Sequence, residues 1–178
     1  MALCRRLKSR RFCLFPFKAA AVVAALVPGL AHAQSVTKLT SIVDWSLYTD
    51  SEKPHAFCFL TSAPKSSAPA GSGEGPRVYI SAWPKEGVKA EPSFKLGFTA
   101  KKGSEITAAV GTQTFSMFAQ SGRAYVADAT AELKLIEAMR KGSKLAVTAT
   151  NEAGTSVTDT YSLAGVGQAM QELQATCF

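Results

Sequence analysis

Apolar and polar residues alternate over short stretches along most of this chain, and each stretch ends at a glycine, a proline or a polar turn. In the first of them, Ile42–Tyr48, the side chains of Val43, Trp45 and Leu47 fall on one face. A period of two is typical of a half-buried β-strand, so we expect one strand here, with Trp45 as a core anchor. Comparable stretches cover residues 56–61, 77–83, 93–100, 106–110, 112–119, 124–127, 145–150 and 155–163.

The number and spacing of these stretches indicate the fold class. About nine short strands separated by turn residues predict an all-β protein built as an antiparallel β-sandwich, with a closed barrel as the alternative. Residues 85–92 form a polar connection between two of the strands. Residues 62–76 consist almost entirely of Ser, Ala, Pro and Gly, which predicts a flexible surface loop with too few large side chains to pack.

One internal segment has helical periodicity. Asp128 or Thr130 can cap its start, and Gly142 fits its C-terminal cap. Three apolar side chains share one face of this short helix: Leu133, Ile136 and Met139.

The end of the chain predicts a second short helix. Gly165 breaks the preceding strand, and four apolar side chains then follow at helical spacing, namely Val166, Met170, Leu173 and Cys177. The spacing places Cys177 on the inward face of this C-terminal helix.

The first 33 residues have the pattern of a secretory signal peptide. Six basic residues and no acidic one precede residue 19, an apolar run covers residues 19–30, and Ala31 and Ala33 are the small residues that a signal peptidase reads. The apolar run is shorter than the roughly 20 residues of a membrane-spanning helix. We therefore expect cleavage after Ala33, a periplasmic or secreted protein, and no membrane span.

Removal of this segment changes the charge of the chain. Six of the 20 basic residues and none of the 13 acidic ones precede residue 34, which leaves 14 basic residues against 13 acidic ones. A nearly neutral chain lacks the basic surface of a nucleic-acid-binding protein, so we expect no nucleic-acid partner. Residues 34–178 have the length of one domain.

The mature chain keeps two of the four cysteines, Cys58 and Cys177. In an oxidising compartment an even number of cysteines favours pairing, and this pair would close a loop of 119 residues. A loop of that length stabilises the fold by about 4 to 5 kcal/mol in the chain-entropy account. Two buried free thiols are the alternative.

Candidate catalytic residues are few. His55 is the one histidine of the mature chain, so a zinc site or a Ser-His-Asp triad would have to use it. No spacing of other residues supports such a role. Ser62 and Lys65 match the S-x-x-K motif of penicillin-recognising enzymes, but Pro64 lies between them, where that motif needs a helix.

The remaining motifs have ordinary structural explanations. The stretch Gly71–Gly75 lacks both the spacing of a dinucleotide loop and the lysine of a P-loop. The acidic pairs Asp50 with Glu52 and Glu86 with Glu91 are typical of solvated turns rather than of a glycosidase site. We predict no enzymatic activity, no cofactor and no metal. Aromatic residues at strand positions are expected in the core rather than on a binding surface, among them Trp45, Tyr48, Phe57, Trp83, Phe94, Phe98, Phe115 and Phe118.

Segments throughout the mature chain carry a resemblance to one known family. The segments are Asp44-Trp45, the strand of Cys58, Ala124–Asp128, Ala138–Ser143, Leu145–Thr148, Gly154-Thr155 and, above all, Thr158–Gly165 with its continuation to Cys177. Together they resemble the invasion-associated locus B family of exported bacterial proteins. Tyr48 and Thr49 stand where that family carries a further cysteine, so the resemblance also implies that Cys58 pairs with Cys177.

The resemblance further implies an immunoglobulin-like β-sandwich without enzymatic activity or cofactor. The family is linked in some pathogens to entry into host cells. On this basis we expect an exported binding module with a protein partner at the cell envelope or the host surface. The alternative is a general structural or stress-related protein of the periplasm or cell envelope.

Overall fold

The computed structural model of the protein describes residues 35–70 and 75–178, and the predicted signal peptide lies outside them. The described part contains eleven β-strands, two α-helices and a short 3-10 helix at Pro84–Glu86. The helices are α1 (Ala129–Lys141) and α2 (Val166–Cys177). The strands are β1 (Val36–Ile42), β2 (Trp45–Asp50), β3 (Cys58–Ser62), β4 (Ser66–Ala68), β5 (Arg77–Trp83), β6 (Val88–Lys95), β7 (Ile106–Val110), β8 (Gln113–Gln120), β9 (Arg123–Val126), β10 (Lys144–Thr150) and β11 (Ser156–Ser162).

All eleven strands belong to one hydrogen-bonded ladder, in the order β1-β2-β3-β5-β6-β9-β8-β7-β10-β11-β4. Every neighbouring pair in the ladder is antiparallel. Six of these ten pairs join strands that are consecutive in sequence. The other four pairs are β3 with β5, β6 with β9, β7 with β10 and β11 with β4. The pairing of β4 constrains the architecture most, since β4 follows β3 along the chain but pairs with β11 at the far end of the ladder.

The pairing of β4 with β11 forces the ladder to fold over on itself. In a flat sheet the eight strand spacings between β3 and β4 would extend about 38 Å. Only residues 63–65 connect the two strands, and this link spans at most about 14 Å. The two halves of the ladder must therefore face each other. This confirms the predicted antiparallel, sandwich-like fold with two helices, whereas its immunoglobulin-like detail stays a prediction.

The core lies inside the folded ladder and under the two helices. Inward side chains from almost every strand are fully buried, among them Trp45, Leu60, Ile80, Phe94, Leu145 and Tyr161. Helix α2 contacts β2, β3 and β5, while α1 contacts β6 to β9. Within the described residues, no helix combines the length and the apolar composition needed to cross a membrane.

The stretch Ile42–Tyr48 is not the single strand that its pattern predicts, because the chain reverses at Val43 and Asp44. Val43 has a φ of +53°, as a two-residue hairpin turn requires, and its side chain is 69% exposed. A β-branched residue rarely adopts this conformation, so the turn carries no sequence signal. Trp45 is buried at the start of β2, as expected.

The turn at Asp44 is tied to the link between β3 and β4. Ser62 Oγ donates a hydrogen bond to the carbonyl oxygen of Asp44 at 2.7 Å, and Lys65 Nζ donates to its carboxylate. The hydrogen bond from Lys65, and then one from Ser162, hold the pKa of Asp44 below its usual value. These contacts fix the first hairpin at the point where the chain crosses from one half of the ladder to the other.

Residues 62–76 are therefore not the simple flexible loop that their composition predicts. They include β4, which pairs with β11, and residues 71–74 lie outside the described part. Ser67 in β4 donates a hydrogen bond to the buried carboxylate of Asp159 in β11. Backbone pairing and this contact order a segment that has no large side chains of its own.

Strand β6 begins earlier than predicted. It includes most of the expected polar connection at residues 85–92 and contains Pro92. A proline is tolerated in a strand where no ladder hydrogen bond is needed from its nitrogen. Pro92 lies just before the segment Ser93–Lys95, over which β6 pairs with β9.

Both predicted helices form. Asp128 caps α1, since its Oδ1 accepts a hydrogen bond from the backbone N–H of Ala131 at 2.9 Å. Leu133, expected on the buried face, is 69% exposed because that face runs along other residues of α1, namely Leu135, Ile136, Ala138 and Met139. In α2 the four residues of the predicted face are all buried: Val166, Met170, Leu173 and Cys177.

Cys58 and Cys177 are joined in a disulfide bond, with their Cα atoms 6.2 Å apart. This distance lies within the normal range for disulfides. Cys58 begins β3 and Cys177 ends α2, so the bond holds the last turn of the chain against the sheet.

Gly142 is required by packing rather than by a left-handed cap conformation. Its φ is −83°, and a Cβ atom at this position would lie 2.4 Å from Val110 Cγ1. We expect Gly142→Ala to lower the unfolding free energy by about 1 to 3 kcal/mol, because the clash lies against buried side chains. Gly167→Ala in α2 is the matched control, since a Cβ there meets no atom within 4 Å.

The control should instead raise the unfolding free energy by up to about 1 kcal/mol through helix propensity. Urea unfolding of both variants measures the difference. A Gly142→Ala variant as stable as the parent would show that the close approach of Val110 is not a constraint.

The disulfide should stabilise the protein chiefly through its long loop. Cys177→Ser is expected to cost a few kcal/mol in the oxidised protein, toward the upper end of the usual range for disulfides. Under reducing conditions the variant and the parent should unfold at nearly the same denaturant concentration, because both then lack the bond. An equal loss in both conditions would assign the effect to side-chain packing.

Asp159 should make the stability depend on pH. Burial raises the pKa of this carboxyl group, and the hydrogen bond from Ser67 only partly opposes that effect. Its folded-state pKa therefore exceeds the unfolded value of about 3.9, so the neutral form favours folding at low pH and stability is lost as the pH rises through the folded pKa.

We accordingly expect Asp159→Asn to be more stable than the parent at pH 7. The difference should disappear below about pH 3.9, where the carboxyl is protonated in both states. Denaturant midpoints of both proteins at the two pH values test this. A destabilised variant at pH 7 would mean that the hydrogen bond from Ser67 outweighs the cost of burying the charge.

Candidate functional site

Aromatic side chains cover the outer face of one half of the ladder and come from β2, β3, β5, β8, β9 and the residue just before β3. They alternate along the strands with the buried core positions and so point to solvent. Phe118 is 45% exposed and the others are half-buried. We call this surface the aromatic face, and its rings are Tyr48, Phe57, Phe59, Tyr79, Trp83, Phe118 and Tyr125.

Neighbouring rings of the aromatic face pack against each other. Tyr48 and Phe59 lie opposite each other in β2 and β3, with ring centroids 5.1 Å apart and planes within 4°. Phe57 continues the stack at 6.3 Å from Phe59 and contacts Trp83 at 5.5 Å. Tyr79 lies 5.8 Å from Phe59. Offset-stacked and tilted pairs at these distances are the favoured aromatic arrangements, so the rings hold one another in place.

A cavity of about 290 Å³ opens within the aromatic face. It lies where two strand positions carry serines instead of rings, Ser81 in β5 and Ser93 in β6. Small side chains between large ones leave this gap. We call the cavity the trough, and its walls are Phe57, Phe59, Tyr79, Trp83, Glu91, Arg123 and Tyr125.

Arg123 borders the trough and holds a defined position. Its guanidinium carbon lies 4.4 Å from the centroid of the Tyr79 ring, which is a cation–π contact. One of its terminal nitrogens donates a long hydrogen bond of 3.5 Å to Ser93 Oγ. Arg123 also borders a second depression of about 360 Å³, where Lys95 and Ser121 lie.

Three basic residues stand side by side at this end of the aromatic face. Arg77 in β5 lies opposite Lys95 in β6, and Lys95 lies opposite Arg123 in β9. Among the described residues none of the three takes part in a salt bridge. Like charges directly opposite each other destabilise a sheet. We call Arg77, Lys95 and Arg123 the basic row.

The opposite end of the trough is acidic. Glu91 lines it from β6. Burial, followed by the charges of Glu91 and Asp128, raises the pKa of Glu132 in α1. The two ends of the trough therefore carry opposite charge.

His55 has a partner that sequence spacing did not identify. Its Nδ1 lies 3.0 Å from Oδ1 of Asp50, and the backbone N–H of Ala56 donates to Oδ2 at 2.9 Å. Asp50 is 2% exposed, so its carboxylate depends on these contacts. The pair holds the connection between β2 and β3.

The other candidate groups are not brought together. Ser62 and Lys65 both bind Asp44 rather than each other. Glu52 is exposed while Asp50 contacts His55, and Glu86 is exposed on the 3-10 helix while Glu91 is partly buried in β6. Within residues 35–70 and 75–178, no group of three or more His, Cys, Asp and Glu side chains is placed to hold a metal ion.

Several rings of the aromatic face were predicted to lie in the core, and this prediction is wrong. Trp45, Phe94 and Phe115 are buried and Phe98 packs against the core, as predicted. The other four rings lie on the outer face: Tyr48, Phe57, Trp83 and Phe118. A signal was present, because strands such as β5 carry apolar residues at both alternating sets of positions. A strand of this kind packs one set of side chains against the core, and the other set remains available for contact with a second surface.

Comparisons with known proteins agree with this architecture. The crystal structure of invasion associated protein B from Bartonella henselae is similar, with a TM-score of 0.56, 16% sequence identity, and coverage of 78% of this chain and 96% of that chain. No curated protein matches the chain. The model of the Invasion associated locus B (IalB) protein family matches residues 45–174, from the core anchor Trp45 to the last turns of α2. The chain belongs to the Invasion associated locus B (IalB) protein family.

Proposed function

We propose that this protein is an exported, non-enzymatic binding module that recognises a protein partner through the aromatic face. The observation that carries the proposal is a surface on which seven large rings remain in contact with solvent. Contiguous apolar surface of this kind, bordered by polar groups, is typical of interaction sites.

The composition of the face supports a protein partner. Trp, Tyr and Arg are the residues most enriched at binding hot spots, and the face provides Trp83, Tyr79 and Arg123 within one connected set of contacts. Rings that already stack on each other lose little conformational freedom on binding. The aromatic face is therefore ordered before a partner arrives.

A role without catalysis is supported by the contacts of the candidate catalytic groups. Asp50 and His55 hold a connection between strands, and Asp44 and Lys65 hold the crossing between the two halves of the ladder. Each of these charged groups makes a contact within the fold, and that contact explains why a charged residue occupies the position.

Export is supported by the buried disulfide, because such bonds persist in oxidising compartments. A contribution to host interaction is supported by the family and by the similar Bartonella protein, whose name records an association with invasion. The proposal thus combines an exported location with one confined binding surface.

The proposal predicts that the aromatic face is needed for both partner capture and host-cell entry. A deletion strain is complemented with the parent, with Trp83→Ala, or with Leu133→Ala. Leu133 is the matched control, because it is a large apolar residue that is exposed on α1. Crosslinking on intact cells should capture a specific partner with the parent and the control, and about tenfold less with Trp83→Ala.

The same strains are scored for host-cell entry and for envelope integrity, with protein levels matched. Reduced entry with an intact envelope would support the proposed role. An envelope defect in culture with normal entry would instead assign the protein a general structural function. Equal capture by all three proteins would remove the aromatic face as the binding surface.

A further inference from the structure

The basic row brings three positive charges together, although Arg123 also contacts the Tyr79 ring and Ser93 within the fold. Its three side chains lie directly opposite one another on three neighbouring strands, in an arrangement that costs stability. The described residues supply no acidic partner for any of them. The repulsion between these charges lowers the stability of the folded chain. Their proximity is explained if a negatively charged ligand neutralises the three positive charges.

We infer that the aromatic face binds an acidic peptide segment, with an apolar side chain in the trough and carboxylates on the basic row. This inference rests on the proposed function and specifies the chemistry of its partner. Arg77 and Arg123 can each form two parallel hydrogen bonds with one carboxylate, and Lys95 between them adds a third positive charge.

The trough has the size of a side-chain pocket. Its volume of about 290 Å³ lies at the lower end of the range for small-molecule sites, which is about 300 to 1,000 Å³. An aromatic or long aliphatic side chain would bury its surface between Trp83, Phe59 and Tyr79. The serines on its floor can hydrogen-bond to the backbone of the same segment.

The charges around the trough give the segment a direction. Arg123 borders both the trough and the depression beside Lys95, so a carboxylate one or two residues from the apolar anchor can reach it. Glu91 repels a carboxylate at the other end of the trough. The acidic residues of the segment must therefore lie on the side of the basic row.

The ring geometry favours a peptide over a nucleic acid strand. A base stacks on an open aromatic face. Here Phe59 stacks with Tyr48 and Phe57, and Arg123 lies over the ring of Tyr79. The nearly neutral mature chain also lacks the broad basic surface that a nucleic acid backbone requires.

Titration of the disulfide-bonded protein with defined probes tests the inference. The acidic probe is an end-blocked synthetic peptide with one phenylalanine beside a pair of aspartates, and the neutral probe has asparagines in their place. Fluorescence reports on the site because Trp83 lies in it while Trp45 is buried. The acidic peptide should bind at least about tenfold more tightly, since charged hydrogen bonds are lost with the neutral one.

Matched variants locate the contact. Arg123→Gln should weaken the acidic peptide about tenfold, and Lys101→Gln, an exposed lysine on a turn, should not change it. Ser81→Leu should fill the trough and weaken both peptides, while Ser116→Leu, exposed on β8, should not. Lys95→Gln should weaken the acidic peptide and also raise the urea midpoint, because it relieves repulsion within the basic row.

Several outcomes would overturn the inference. Equal binding of the two peptides would remove the acidic requirement, and equal binding by the Arg123→Gln and Lys101→Gln variants would place the contact elsewhere. A sulfated oligosaccharide or a single-stranded oligonucleotide that binds more tightly than the acidic peptide would identify a different class of ligand. In each case the capture experiment with Trp83→Ala separately decides whether the aromatic face binds a partner at all.

Discussion

The connection between β3 and β4 is the constraint on which the architecture depends. Residues 63–65 join the third strand of the ladder to its last strand, so the sheet cannot remain open. The contacts at this crossing are polar and specific. Ser62 and Lys65 bind Asp44 on one side, and Ser67 binds Asp159 on the other. A segment of small residues is therefore positioned by hydrogen bonds rather than by the burial of its own side chains.

Folding the ladder over creates an inner surface that the core fills and an outer surface with a different composition. The two helices pack against the inner side, and the disulfide between Cys58 and Cys177 holds α2 in place there. On the outer side the strand geometry places alternate residues in register across neighbouring strands, so single positions combine into rows. The aromatic face and the basic row are two such rows, each assembled from residues far apart in the chain.

These outer rows have an energetic cost that the core must offset. Exposed rings leave apolar surface in water, and like charges that form no salt bridge among the described residues repel each other across β5, β6 and β9. Natural proteins stay only moderately stable, and strained or unfavourable arrangements tend to collect where function needs them. The exposed rings and the repelling positive charges lie on the same face, and this is the main physical argument for a binding role.

The sequence by itself determined the class of fold, the two helices and the inward face of α2, because period-two and helical patterns report directly which side chains a local element buries. It did not determine the turn at Val43, whose backbone conformation is unusual for its residue type. It also did not show that residues 66–68 form a strand, because β4 forms by pairing with the distant strand β11. It also gave no indication that Arg77, Lys95 and Arg123 stand side by side. Only tertiary structure decided this, since strand register is set by contacts between residues that are distant in sequence, and a local pattern holds no information about which strands become neighbours.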